Sequence, residues 1–218
     1  MKLIFLGTGT STGIPTIGID KPVCSSSDFK DVRMRSSVLL QIGDKNILID
    51  CSPDFRQQML KSKVSKIDAI LFTHEHSDHT AGLDDVRPIS FKHGKIPIFA
   101  HKRVISNLER RFDYLFDKKG YYTGAPHVFS NIINEESNFN FEDLEFTTIS
   151  YMHHKLQVFG FRYKNIAYIT DLKEISKKEI SKLYNLDLLV LNALRHSCLL
   201  YTSDAADDMQ CVDLGGRR

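Results

Sequence analysis

The six residues His74-Glu75-His76-Ser77-Asp78-His79 follow the apolar run Ala69-Ile70-Leu71-Phe72, with only Thr73 between. Three imidazoles and two carboxylates are thus packed into one strand-to-loop transition, a pattern that burial of apolar surface does not explain. Neutral histidine is the commonest nitrogen ligand for zinc, and a carboxylate adds a hard oxygen donor. The chain must therefore fold so that a short buried strand delivers this cluster to one rim, where further donors can join it. A solvated loop with coincidental histidines is the plainer alternative, and the density of the cluster argues against it.

The 218 residues are 42% hydrophobic, enough for a substantial core, and one domain is expected, with room for a small insertion. No apolar run approaches the roughly 18 residues that a bilayer span requires, and Met1 to Gly7 is too short for a signal-peptide core. A cytoplasmic protein with no membrane partner is expected. The net charge of +2 makes no global demand for nucleic acid. Cys24, Cys51, Cys198 and Cys211 show no CxxC spacing, which fits a reduced compartment rather than a disulfide framework.

The stretch from Cys198 to Arg218 lacks helical or strand periodicity and can be back-translated into two sequencing-library adapters separated by an index. It is expected to be a non-native tail, leaving residues 1–197 as the domain, incomplete at its C-terminus. The tail carries four aspartates against two arginines, so the remainder has a charge of about +4.

Lys2 to Leu6 reads as a strand ended by the loop Gly7 to Gly13, where glycines relieve the restriction on φ. This loop fits neither GxxxxGK[ST] nor GxGxxG, and a plain turn is favoured over a phosphate cradle. Ser37 to Ile42 and Asn46 to Asp50 form a hairpin pattern around Gly43-Asp44, and Pro53 suits the first turn of a helix reaching Lys61. Further strands are expected at Ala69 to Phe72 and Ile96 to Ala100. A helix is expected over Val104 to Phe116, with Val104, Leu108, Phe112 and Leu115 on one face. Hairpin-like pairs follow in Phe139 to Ile149 and Val158 to Ile169, then a helix over Ile175 to Leu183 and a strand over Leu186 to Leu191. Strand pairs followed by alternating strands and helices suggest an α/β fold of two sheets packed face to face with helices outside.

Candidate partners for the cluster lie downstream. His153 and His154 follow the β-like Glu145 to Ser150, and Asp171 follows Ile166 to Thr170. Alone, a histidine of the pair is as often structural, and an aspartate opening a loop is more often a cap or turn residue. Their joint position after strands reverses that balance. Asp50 reads equally as a turn carboxylate or as a hydrogen-bond acceptor that holds a ligand histidine. Cys51 has no paired base in view, so a catalytic thiol is not expected. His93, His101 and His127 lack motif context. The basic and aromatic region of Lys102, Arg103, Arg110, Arg111, Lys118 and Lys119 with Phe112, Tyr114, Phe116, Tyr121 and Tyr122 reads as a solvated helix with core aromatics, ahead of an RNA or phosphate surface.

Here the sequence resembles the metallo-β-lactamase superfamily, whose signature HxHxDH is matched by His74, His76, Asp78 and His79. The resemblance covers nearly all of residues 1–196 and includes Ile47-Leu-Ile-Asp50. Phe5-Leu-Gly-Thr-Gly-Thr-Ser-Thr-Gly-Ile-Pro15, His153-His-Lys-Leu and Phe159-Gly-Phe are similar to the branch containing phosphoribosyl 1,2-cyclic phosphate phosphodiesterase and, more distantly, tRNase Z.

The resemblance implies an α/β metallo-β-lactamase-type αββα sandwich holding two divalent ions, zinc or manganese. His74, His76 and His153 would bind one ion, Asp78 and His79 the other, and Asp171 would bridge. His153 is preferred to His154 by register. Asp78 would also act catalytically, orienting an attacking water or accepting its proton, and a hydroxide held by the two ions would attack phosphorus. The family's further ligand histidine, in a Thr-His-x-Ser-His segment, has no counterpart here; His196 is read as a lone surface histidine. The family's histidine that assists the leaving group would lie past Asn192 to Arg195, so weak or absent activity is expected of this chain. A three-cysteine zinc site found in relatives is also expected to be absent, since Ile19 and Lys21 accompany Cys24.

The implied function is a metal-dependent phosphodiesterase acting on a small cyclic phosphate. The alternatives are a tRNase Z-like RNA endonuclease, for which Lys118 to Val128 is short as a gripping arm, and a non-catalytic metal- or phosphate-binding module. Thioester or lactam hydrolysis shares the same cluster. A small phosphodiester is thus the expected partner ahead of nucleic acid, and the oligomeric state, a dimer included, is left open.

Overall fold

The computed structural model describes residues 1–116, 122–135 and 138–192, and the backbone of 212–213. The chain folds as two compact units, Met1–Ile132 and Ile133–Arg218, each built on a six-stranded mixed sheet.

The first unit contains β1 (Lys2–Gly7), β2 (Ser37–Ile42), β3 (Lys45–Ile49), α1 (Phe55–Ser62), β4 (Ala69–Leu71), α2 (Ser77–Thr80), α3 (Arg87–His93), β5 (Ile96–Ala100), α4 (Lys102–Arg111) and β6 (Val128–Ile132). Its strands lie in the order β1 to β6; β1, β2 and β3 pair antiparallel, and β3, β4, β5 and β6 pair parallel. Every residue of β4 and β5 is buried, as expected of parallel strands covered on both faces. Leu48, Ile70 and Ile98 pack with Phe55 of α1, Leu83, and Val104 and Leu108 of α4.

Register decides what this sheet can carry. Ile49 is opposite Leu71, and Leu71 is opposite Phe99, so β3, β4 and β5 run out at one edge. Asp50, Thr73 and His101 leave the sheet there together, at the carboxyl ends of parallel strands, where α/β folds place their sites. The Gly7 to Gly13 loop has a different job. A Cβ on Gly7 would stand 1.9 Å from the Arg35 carbonyl oxygen, so glycine is needed there for close approach to the chain's own backbone.

The second unit contains β7 (Asn138–Phe141), β8 (Leu144–His153), β9 (Leu156–Tyr163), β10 (Ile166–Ile169), α5 (Lys177–Ser181), β11 (Leu188–Leu191) and β12 (Val212–Asp213). The order is β12-β11-β10-β9-β8-β7, with β10 and β11 parallel and all other pairs antiparallel. Ile149, Tyr151, Val158, Ala167, Ile169 and Leu172 form one of its buried clusters.

Several boundaries differ from the sequence reading. Pro53 precedes α1 by a turn instead of occupying it. The helix expected to reach Phe116 ends at Arg111, and a 3-10 turn over Asp113–Leu115 takes Leu115 into the core. The helix expected over Ile175 to Leu183 is only Lys177–Ser181, capped by Ser176, whose side chain accepts from the Glu179 amide. Ile175 and Leu183 still pack on the apolar cluster from outside the helix, so the apolar spacing reported burial, not helix length. Apart from the backbone of Val212–Asp213, the expected non-native tail lies outside the described residues, as do Arg195 and His196.

Candidate metal centre

In the first unit, β4 ends at Leu71, and the chain turns through Thr73 into the histidine cluster and the single turn α2. Asp50 organises the turn from beneath. It is fully buried and has φ 62°, a left-handed conformation that Asp tolerates better than most residues. Its carboxylate accepts from the Thr73 amide at 2.9 Å, from the Thr73 hydroxyl at 3.1 and 2.9 Å, and from His79 Nδ1 at 2.7 Å. Burial pushes the Asp50 carboxyl upward in pKa, opposed by His79 and by the Thr73 hydrogen bonds.

These contacts set two tautomers. An ionised carboxylate only accepts, so His79 carries its proton on Nδ1 and offers the Nε2 lone pair. The Thr73 hydroxyl donates to Asp50 and accepts from His74 Nδ1 at 2.9 Å, which leaves His74 Nε2 as a lone-pair donor too. His74 and His79 are buried, and their ligand atoms lie within 4.8 Å of each other.

Two donor pairs result. His74 Nε2 and His76 Nδ1 are 2.9 Å apart, and His79 Nε2 and Asp78 Oδ2 are 3.2 Å apart. Ligands 2.0 to 2.1 Å from one tetrahedral zinc are separated by about 3.3 Å. Both pairs therefore have a spacing that a single small divalent ion accepts, and the donor set fits the implied metal. For Asp78, burial raises the carboxyl's pKa, but a protonated His79, whose Nε2–H then donates to Asp78 and whose charge lies beside it, outweighs burial and holds the group below its ordinary value; the neutral ring instead leaves the Nε2 lone pair for a metal. Its side chain is 19% exposed, so it is both ionised and reachable from solvent. Cys51 is fully buried, and burial, with Asp85 and Asp50 nearby, pushes its thiol well up, away from nucleophilic use.

In the second unit, His153 is the last residue of β8 and pairs with Leu156 across a tight turn. His154 occupies that turn, exposed, with φ 56°. Asp171 follows β10, also with φ 56°. The Met152 amide donates to the Glu174 carbonyl at 2.8 Å, and the Lys173 amide donates to the Met152 carbonyl at 2.9 Å. The segment after Asp171 is thereby zipped to the end of β8, and ligand atoms of His153 and Asp171 lie within 4.8 Å of each other. Asn192 Nδ2 donates to Asp171 Oδ1 at 3.3 Å.

Sequence reasoning missed the role of α4. Arg103 and Arg111, assigned to a solvated face, bond to the metal-motif loop itself. His101, without a motif, caps α4 by accepting from the Arg103 amide at 3.2 Å. The one available signal was the acid at Glu75 inside the motif, facing a helix with an excess of arginine.

Residues 45–214 match the family model of the beta-lactamase superfamily domain. A Porphyromonas gingivalis protein named octanoyltransferase is 41% identical over 198 residues, covering 90% of this chain and 40% of that protein. Ribonuclease Z of Listeria monocytogenes is 29% identical over 171 residues, covering 74% of this chain and 48% of the enzyme. The chain thus spans less than half the length of these two curated relatives. A crystal structure described as a new diphosphatase from the PhnP family superposes with a TM-score of 0.81 at 39% identity, covering 90% of this chain and 75% of that one. Among the described residues, no helix is long and apolar enough to cross a membrane. With an α/β metallo-β-lactamase fold of two mixed sheets and the HxHxDH donors at the edge of the first, the chain belongs to the beta-lactamase superfamily domain family.

Proposed function

We propose that the chain is the metal-binding part of a hydrolase that cleaves a phosphodiester in a small substrate, with phosphoribosyl 1,2-cyclic phosphate as the representative case. On this reading His74, His76 and His153 would hold one divalent ion, Asp78 and His79 would hold a second, and Asp171 would be a shared ligand; zinc and manganese suit these donors. The observation that carries the reading is the pair of donor spacings, 2.9 Å for His74 with His76 and 3.2 Å for Asp78 with His79. The 39% identity to a PhnP-family diphosphatase supports a phosphate-containing substrate.

When bound, such ions supply Lewis acidity and lower the pKa of a water. The chain's own residues do the rest. Asp78, ionised and partly exposed, orients the attacking water and takes its proton. Asp50 keeps the proton of His79 on Nδ1, and Thr73 does the same for His74. No side-chain nucleophile is required, in keeping with the buried thiol of Cys51.

The match to ribonuclease Z favours one second reading, an RNA endonuclease. Octanoyl transfer is not carried over, because only 40% of the protein bearing that name lies within the match. Metal analysis combined with turnover by the full-length protein on a cyclic phosphate, a bis-phenyl phosphodiester and precursor tRNA separates the readings. Hydrolysis of the cyclic phosphate without tRNA cleavage supports the proposal; tRNA cleavage alone favours the endonuclease, and bound metal without turnover a binding module. His76→Ala should lose metal and activity together, and retention of metal at wild-type stoichiometry would contradict the assignment.

A further inference from the structure

His76 differs from the other two histidines of its motif. His74 and His79 are buried and held through Nδ1 by Thr73 and Asp50, whereas His76 is exposed. Its direction depends on its backbone, and that backbone is gripped from α4. Arg111 Nη1 donates to the Glu75 carbonyl at 3.0 Å and to Thr80 Oγ1 at 2.9 Å, and its Nη2 donates to Ser77 Oγ at 3.3 Å. Thr80 Oγ1, having accepted from Arg111, donates to the His76 carbonyl at 2.8 Å. On the other side, Arg103 forms a two-pronged pair with the Glu75 carboxylate at 2.8 and 3.1 Å. Both arginines project from a helix anchored by the buried Val104, Ile105 and Leu108.

Charge attraction to an incoming ion does not explain this arrangement. Two guanidinium groups beside a cation site oppose binding, and Glu75 offsets only one of them. The return is geometric: the planar fork of Arg111 reaches three loop oxygens at once, which a lysine ammonium does not reproduce. We propose that Arg111, assisted by the Arg103–Glu75 pair, is a positioning clamp that presets the Glu75–Ser77 backbone so that His76 presents Nδ1 beside His74 Nε2 before an ion arrives. This inference rests on the metal assignment made above and adds to it residues that touch neither ion nor substrate.

The test compares the full chain with its Arg111→Met, Arg111→Lys and Thr80→Val variants. Zn2+ affinity is measured by competition with a chromophoric chelator, the visible spectrum of the Co2+-loaded protein reports nitrogen ligation, and thermal unfolding of the metal-free chain reports stability. Loss of a hydrogen bond that orients a ligand weakens metal binding about 10- to 100-fold. Arg111→Met should fall in that range with weakened Co2+ absorption and an unchanged metal-free midpoint, and Arg111→Lys should recover only part of the affinity. Thr80→Val, which cuts the relay to the His76 carbonyl, should show the same weakening and serves if Arg111→Met does not fold. Wild-type affinity in the variants, full recovery by lysine, or a loss of affinity matched by a loss of metal-free stability would overturn the clamp. Failure of the wild-type chain to bind Zn2+ would instead overturn the metal assignment.

Discussion

Replacing Asp50 by Asn isolates a single oxygen at the base of the candidate centre. Asparagine has nearly the same shape and tolerates the backbone at φ 62°, so neither packing nor strain should change. What changes is the hydrogen-bond direction. If the amide oxygen stays on Thr73, the new NH2 faces His79 Nδ1, which must become an acceptor; the ring proton then moves to Nε2, the atom offered to metal. If the amide is flipped, its NH2 meets the Thr73 N–H, and two donors are buried against each other. A mis-set buried hydrogen bond costs about 1 to 3 kcal/mol. The metal-free chain should therefore lose about that much in urea unfolding, and affinity at the ion assigned to Asp78 and His79 should fall about 10- to 100-fold. Asp50→Ala removes every acceptor at once and should cost more, about 3 to 5 kcal/mol, the range for breaking a buried ionic contact. Metal titration with parallel urea unfolding reads both quantities. An Asn variant with a wild-type midpoint and two ions bound at wild-type affinity would refute the claim that Asp50 sets the His79 tautomer.

Two further substitutions test the support of the centre. Gly82→Ala places a Cβ 2.0 Å from the Ser52 carbonyl oxygen and 2.8 Å from Phe55 Cβ, so it should destabilise the chain by about 1 to 3 kcal/mol; an unchanged unfolding midpoint would contradict the packing described. Asp171→Gly relaxes a left-handed residue at φ 56° while deleting a proposed ligand, so the metal-free chain should keep its stability to within about 1 kcal/mol while bound metal falls. Unchanged metal content in that variant would remove Asp171 from the ligand set.

The parts of the fold that sequence reveals are those whose signals are local. The apolar strand Ala69 to Phe72 and the donors from His74 to His79 lie in one short window, and strand, turn and metal chemistry are all legible there. The β2–β3 hairpin was legible for the same reason, because the turn at Gly43-Asp44 fixes its register. Helix ends were less so. Leu115 and Leu183 are placed in their apolar clusters by a 3-10 turn and a turn, yet their spacing equally suits a continuing helix. Apolar periodicity records which side chains are buried, and more than one backbone path can bury them.

The register of parallel strands is a quantity of another kind. Nothing in the residues of β4 and β5 states that Leu71 stands opposite Phe99, since both strands are buried throughout and either neighbouring register keeps their side chains in apolar surroundings. Yet that register decides where α4 begins relative to the histidine loop, and hence that Arg103 reaches Glu75 across 28 residues of sequence and Arg111 across 36. The same shared edge sets Asp50 beneath His79, 29 residues away. The ligands are legible because the chemistry that selects them acts through neighbouring residues. The groups that hold their geometry belong to the sheet register and become legible only with it, so a reading confined to the motif assigns Arg103 and Arg111 to solvent when their contacts are with the motif itself.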